Sequence, residues 1–311
     1  MTASIEAASA FDADRYVSRL AEDGVALFLF HGVITRQRWK VRNTNRKHLP
    51  VGDFVQVLRK LHTAGTAVSM DQVADAAEHG TQLPPRAFAV TFDDGFRNNL
   101  TVAAPVLADL AIPATYYITS GFVEMNGRSW IDRIEQAMEL RVNGALSLPW
   151  GKRRYDSAAQ AVVLLGEIRQ RVKSDPALNP DAIADDLCRQ LGVGALELDE
   201  ELDAKLTWDQ VRDLAAMPGS LLGGHSHSHA IMSFLDEPAL EREIRLPLQL
   251  LQSKAGVRTS HFSYPEGMPH CYSDSVIAAL RQAGIRCCPT AEDGVERSSM
   301  DPFRLKRIMV T

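Results

Sequence analysis

No stretch of this chain approaches the ~18 consecutive apolar residues that a membrane span needs; the most apolar early run, Val25 to Phe30, is a strand's length. Charge of one sign is also lacking. With 34 Lys and Arg against 39 Asp and Glu, the formal net charge is -5, which offers no field to a polyanion and argues against nucleic acid as a partner. Cysteine is scarce and shows no CxxC spacing, so Cys188, Cys271, Cys287 and Cys288 read as reduced core thiols with no disulfide expected. Met1 to Asp14 hold Glu6 and Asp12 and no basic stretch ahead of an apolar core, which does not read as an export signal; the expected location is the cytoplasm. What remains, 311 residues with 45% hydrophobic and 23% charged, is an ordinary globular composition. The length admits one α/β barrel as readily as two domains.

Short β-rich runs alternate with segments of helical spacing, the pattern of a parallel sheet wrapped by helices. Strands are predicted at Val25 to Phe30, Ala87 to Phe92, Ala114 to Thr119, Leu221 to Gly224, Ser260 to Tyr264, Ile285 to Pro289 and Leu305 to Val310. Between them Phe54, Val57, Leu58 and Leu61 mark a helix that stops at Gly65, a common residue just past a helix end. Asp236 can cap another helix that runs to Gly256 across Pro247, which should bend it. From Trp130 to about Leu202 only helical patterns appear, Trp130, Ile134, Ala137 and Met138 on one stripe and Val162, Leu165, Ile168 and Val172 on another. This reads as a helical insertion, about 130–202, within one domain spanning 1–311.

Two segments carry chemistry. Thr91-Phe92-Asp93-Asp94-Gly95 follows an apolar run, so two adjacent carboxylates fall at the C-terminal end of a strand, where barrel enzymes place their reactive groups. One can bind a cation while the other stays free as a proton acceptor; Asp-Gly is equally common turn chemistry. Gly223 to His229 follows another apolar run and holds three of the nine histidines. His225 and His229 can converge on one ion if the chain turns into a helix there, whereas His227 should point elsewhere. A solvated polar loop is the plain alternative. Two imidazoles and one carboxylate leave metal positions open for water and substrate, which is the arrangement of a catalytic site and suggests metal-assisted hydrolysis.

As an ordered set, the motifs resemble those of the polysaccharide deacetylase family: Thr91 to Gly95, His225 to His229, and Phe262-Ser263-Tyr264-Pro265-Glu266-Gly267. Phe30-His31-Gly32-Val33, Ile112 to Tyr117, Thr207-Trp208-Asp209 and Leu305-Lys306-Arg307-Ile308 extend the resemblance over roughly residues 25 to 310, leaving the insertion uncovered. Members remove N- or O-acetyl groups from chitin, peptidoglycan and related sugars. The resemblance implies a distorted (β/α) barrel of about seven parallel strands in an α/β fold, with one divalent metal held by Asp94, His225 and His229. Zinc is the first choice, and cobalt, nickel or iron also accept that donor set. Asp93 is then the general base that deprotonates a metal-bound water, and a backbone N–H near Glu266 helps steady the oxyanion.

Two family features are missing. The arginine that commonly orients the base carboxylate near the third motif is absent, and Arg307 or Arg304 from the last strand is expected to replace it. The late Leu-x-His segment, source of the family's general acid, has no counterpart up to Thr311; His31, at the end of the first strand, is the expected substitute, with a hydrogen-bonded core histidine as the alternative. Tyr264, Pro265, Glu266 and Trp130 are the expected substrate-binding residues, Glu266 being either a pocket wall or simply solvated. The leading reading is removal of an acetyl or formyl group from an N-acylated amino sugar, free, nucleotide-linked or lipid-linked. Aromatics make up only 7% of the chain, leaving few rings for sugar stacking. That keeps open a non-sugar amide or cyclic imide as substrate, and a non-catalytic carbohydrate-binding descendant is the third reading. The amphipathic insertion is expected to form a lid or a homodimer contact.

Overall fold

A computed structural model describes residues 11–297 and 299–311; most of the stretch read above for an export signal, Glu6 included, lies outside them. Among the described residues ten strands form in chain order: β1 Val25–Phe30, β2 Gly32–Ile34, β3 His48–Pro50, β4 Thr66–Ala67, β5 Ala87–Phe92, β6 Ala114–Ile118, β7 Gly144–Leu148, β8 Gly151–Tyr155, β9 Ser220–Gly224 and β10 Ile308–Met309. The main sheet runs β10-β1-β5-β6-β9, with β4 also on β5, and every pairing in it is parallel. β1 and β5 are buried at every position, which is why they read as continuous apolar runs rather than alternating ones. Helices such as Val51–Ala64, with Phe54, Val57, Leu58 and Leu61 buried, cover the sheet.

Past β9 the sheet continues through single parallel bridges, Gly224 with Phe262 and His261 with Cys287, and through backbone hydrogen bonds such as Thr290 N–H to the Leu305 carbonyl at 2.8 Å. The strands expected at Ser260 to Tyr264 and Ile285 to Pro289 are therefore reduced to bridges, and the last shrinks to β10. Pro265, Pro289 and Pro302 fall in or beside these segments and have no N–H to offer a ladder. The result is an α/β fold with a parallel sheet that irregular segments extend past β9 in the manner of a distorted barrel.

Register sets the site. Phe30 pairs with Phe92, Phe92 with Tyr116 and Ile118 with Gly224, so the strands end on one rim. The residues that follow directly, His31, Asp93 and His225, are brought to that rim, and Asp93 N–H and His225 N–H extend the ladder onto the Phe30 and Ile118 carbonyls at 3.1 and 3.0 Å.

The insertion is not all helix. Beside Trp130–Leu140, Ala158–Ser174 and Pro180–Gln190 it contains the antiparallel hairpin of β7 and β8. Leu146 and Leu148 are buried while Ser147 between them is exposed, a period of two that sits between stronger helical stripes. Ile134, Met138, Leu165, Ile168 and Leu187 pack with this hairpin into a core of their own. Gly65 ends its helix without a left-handed turn, at φ -150. Glycine is needed there for space: a Cβ would stand 2.4 Å from the Arg86 carbonyl oxygen. Among the described residues no helix is long and apolar enough to cross a membrane.

Candidate functional site

Asp93 leaves β5 into a buried ion pair. Its Oδ1 and Oδ2 accept from Arg307 Nη1 and Nη2 at 2.9 and 2.8 Å, a bidentate clamp. The guanidinium is itself fixed, with Nε donating to the Thr290 carbonyl at 2.5 Å and Nη2 to Ser263 Oγ at 2.9 Å. Burial would raise the Asp93 pKa, but Arg307 and then His225 outweigh it and hold the carboxyl below its ordinary range. Of the two candidate arginines it is thus Arg307 that meets the carboxylate; Arg304 pairs at the surface with Asp274 and Asp301.

Asp94 follows with a left-handed backbone, φ 74. Its Oδ1 lies 3.2 Å from His229 Nε2 and 3.6 Å from His225 Nε2, and the ligand atoms of the three residues all lie within 4.8 Å of one another. The histidines meet through a tight turn, not the helix expected after β9. Ser226 and His229 both adopt positive φ, 58 and 62, and His229 N–H donates to Ser226 Oγ at 2.9 Å. Glu243 ties the turn down: its carboxylate accepts from the backbone N–H of His227 and Ser228, each at 2.8 Å. His227 points aside, its Nδ1 at 2.9 Å from Ser120 Oγ. Strained backbone concentrated in this way is typical of functional sites.

The donor set suits a divalent cation. His225 Nδ1 lies 2.8 Å from the Ser263 carbonyl, so that nitrogen carries the proton and Nε2 keeps a free lone pair. Asp94 Oδ1 is buried without a hydrogen-bond partner while facing two imidazole nitrogens. Burial would raise the Asp94 pKa; Lys47, whose Nζ is 2.8 Å from Oδ2, and His229 reverse this and hold it well below the ordinary range. Asp75, Glu78 and His79 form a second possible group, but it is largely exposed.

These side chains open onto a cavity of about 170 Å³. His31, Asp93, Asp94, His225 and His229 line it from the barrel, and Trp130, Asp132, Glu135, Arg169 and Lys173 from the insertion. Glu266 closes one side, paired with Lys173, so it is a wall and not a solvated residue. The expectation for Tyr264 and Pro265 is corrected. Tyr264 is fully buried away from the cavity, its hydroxyl donating to the Phe303 carbonyl at 3.0 Å and its ring stacked on Tyr272, and Pro265 is buried too. Strand alternation in Phe262 to Tyr264 explains this, because Ser263 faces the site and its neighbours face the core. Burial pushes His31 down to about 4 against the pull of Asp94, so it stands neutral at pH 7. Sequence reasoning missed Lys47, Ser263, Glu243 and Asp132; only Ser263, inside the third motif, carried a signal.

Fold and site together define an α/β barrel with a buried Asp-His-His group beside an arginine-clamped carboxylate. The sequence profile described as Polysaccharide deacetylase matches residues 80–288, and the chain belongs to that family. Among solved structures, IcaB from Ammonifex degensii is similar over 94% of both chains at 19% identity, TM-score 0.61. The Streptococcus pyogenes deacetylase PplD in complex with acetate is similar over 92% of both at 14% identity, TM-score 0.59. A de-N-acetylase from Aggregatibacter actinomycetemcomitans is similar over 92% of this chain and 94% of its own at 15% identity, TM-score 0.54. At these identities the likeness concerns the fold. No curated protein matches the chain.

Proposed function

We propose that the protein is a metal-dependent hydrolase that removes an N-acyl group, acetyl or formyl, from an amino sugar or sugar conjugate. One observation carries the reading: the ionised, arginine-held Asp93 has its Oδ2 3.9 Å from His225 Nε2, so a proton acceptor adjoins the group suited to a cation. Asp94, His225 and His229 would hold the divalent ion, zinc by preference, which supplies Lewis-acid polarisation of the acyl carbonyl and makes water acidic enough to attack at neutral pH. Asp93 accepts the proton of the attacking water. Arg307 keeps Asp93 ionised and aimed, and His31 offers a ring nitrogen on the leaving-amine side. The sugar lies between Trp130, Glu266 and the rest of the insertion wall.

Metal analysis tests the site first. About one divalent ion per chain is expected, lost in Asp94→Ala and His229→Ala; a chain that holds no ion at neutral pH overturns it. Release of amine from a panel of acetylated and formylated amino sugars, free and nucleotide-linked, then tests the substrate. A non-sugar amide or cyclic imide is the second reading, favoured by the withdrawal of Tyr264, which leaves Trp130 as the only Phe, Tyr or Trp among the described cavity residues. The same panel should include such amides.

His31→Gln examines the proton delivered to the amine. If His31 supplies it, wild-type rate should fall as pH rises through about 4, where the ring loses its proton, and the variant should lose that dependence together with ~10²- to 10⁴-fold in rate. An unchanged profile removes His31 from the mechanism.

A further inference from the structure

The helix Trp130–Leu140 brings a carboxylate into the cavity, one oxygen of which has no hydrogen-bond partner among the described residues. Asp132 is 6% exposed and lines the cavity, and its Oδ2 is buried without a hydrogen-bond partner. The helix is fixed at this point, since Ser129 Oγ caps it by accepting from Asp132 N–H at 3.3 Å. Burial would raise the Asp132 pKa, but Lys47 and Lys205 hold it far below the ordinary carboxylate range, so the orphan oxygen belongs to an anion. A buried charged acceptor left open is costly, and native proteins rarely tolerate one without a use.

The surroundings define what can fill that valence. Lys47 already reaches into the cavity, and the Lys205 ammonium, buried and itself unpartnered, sits 3.4 Å from the Phe96 ring centroid. Two cations beside Asp132 disfavour an incoming ammonium or metal ion, and an anion is repelled by Asp132 itself. A neutral O–H donor fits. Trp130, in the same turn of the helix, adds an apolar ring to the same wall. A ring face and a carboxylate together are what a pyranose needs, one for its C–H surface and the other for a hydroxyl.

We propose that Asp132 is a substrate-binding residue, accepting a hydrogen bond from a ring hydroxyl of the sugar and so setting which amino sugar the insertion wall admits. This rests on the amino-sugar reading above. The competing role is internal: a recess of about 10 Å³ bounded by Arg42, His48 and Asp132 has room for one water, which could satisfy Oδ2 without substrate.

The test uses the metal-loaded enzyme with N-acetylglucosamine, its 3-, 4- and 6-deoxy analogues, and a small aryl acetate ester that has no sugar. In the wild type one deoxy analogue should lose roughly 10- to 100-fold in kcat/KM, mostly through KM, as expected for a hydroxyl bonded to a charged partner. Asp132→Ala should lose as much on the parent sugar and show no further penalty for that analogue. Its metal content and aryl acetate hydrolysis should match the wild type. Asp132→Asn, which keeps the shape, guards against a folding failure and should lie in between. If Asp132→Ala turns over the parent sugar like the wild type, or loses rate equally on every probe, the assignment is overturned. A wild type that cleaves the ester but releases amine from no sugar defeats the amino-sugar reading itself, and the role of Asp132 falls with it.

Discussion

Asp93→Asn should retain the cation and lose about 10²- to 10⁴-fold in kcat. The amide has the shape of the carboxylate but cannot take a proton from water, whereas Asp94, His225 and His229 keep their atoms and their hydrogen bonds. Metal content therefore separates this variant from Asp94→Ala, which should lose both ion and rate. The introduced amide would still face Arg307, but a neutral oxygen answers the buried guanidinium less well, so some loss of stability accompanies the loss of rate. Turnover at the wild-type level with the ion in place would mean that another group removes the proton.

Arg307→Met carries the second large effect, and it acts on two readouts. The Arg307 side chain is fully buried and clamps a carboxylate that is 5% exposed. Removing the cation leaves Asp93 desolvated and unpaired, for which a loss of about 3–5 kcal/mol is usual. The pH dependence follows from the same pair. In the native protein the depressed pKa of Asp93 contributes stability that is present above the unfolded carboxyl value, ~3.9, and lost as pH falls through the folded value. Without Arg307, burial dominates and the folded pKa climbs. The variant should then be least unstable at acidic pH and weaken as pH rises through the new value. Its kcat/KM profile should show the acid limb moved to higher pH, since the base must first ionise. Denaturant unfolding between pH 4 and 8, with a pH-rate profile, checks both; a profile superimposable on the wild type rules out Arg307 as the partner that keeps Asp93 ionised.

The parts of the fold legible in the sequence were those in which one pattern was uncontested. β1 and β5 announce themselves because both faces are buried, and the helix Val51–Ala64 because its stripe is clean. Asp93, Asp94, His225 and His229 could be placed because each follows a buried strand, and strand ends share a rim in a parallel sheet. Arg307 was accessible for a related reason: the last strand returns beside β1, bringing its residues under that rim.

Other features left weaker traces. The hairpin at 144–155 was masked by helical periodicity on both sides, although Leu146 and Leu148 alternate around an exposed Ser147. β2, β3 and β4 span two or three residues each, too short for any period to register. Lys47 and Asp132 lie far from every motif in the chain and gain their roles only when the loop before β3 and the insertion are folded against the rim. Tyr264 illustrates the opposite error: an aromatic inside a motif draws attention as a stacking platform, yet register turned its ring into the core and presented Ser263 instead.

The cavity is built from two separately packed bodies of side chains. Reactive groups stand on the barrel, whereas Trp130, Asp132, Glu135, Arg169 and Lys173 are carried by helices that rest on a different core. Hydrogen bonds and ion pairs stitch the one to the other, among them Lys173 with Glu266 and the Glu139 carboxylate with the Val41 N–H. Remodelling the insertion can thus alter what the cleft accepts while the chemistry beneath it stays intact, a division of labour by which selectivity can drift without a new catalyst having to arise.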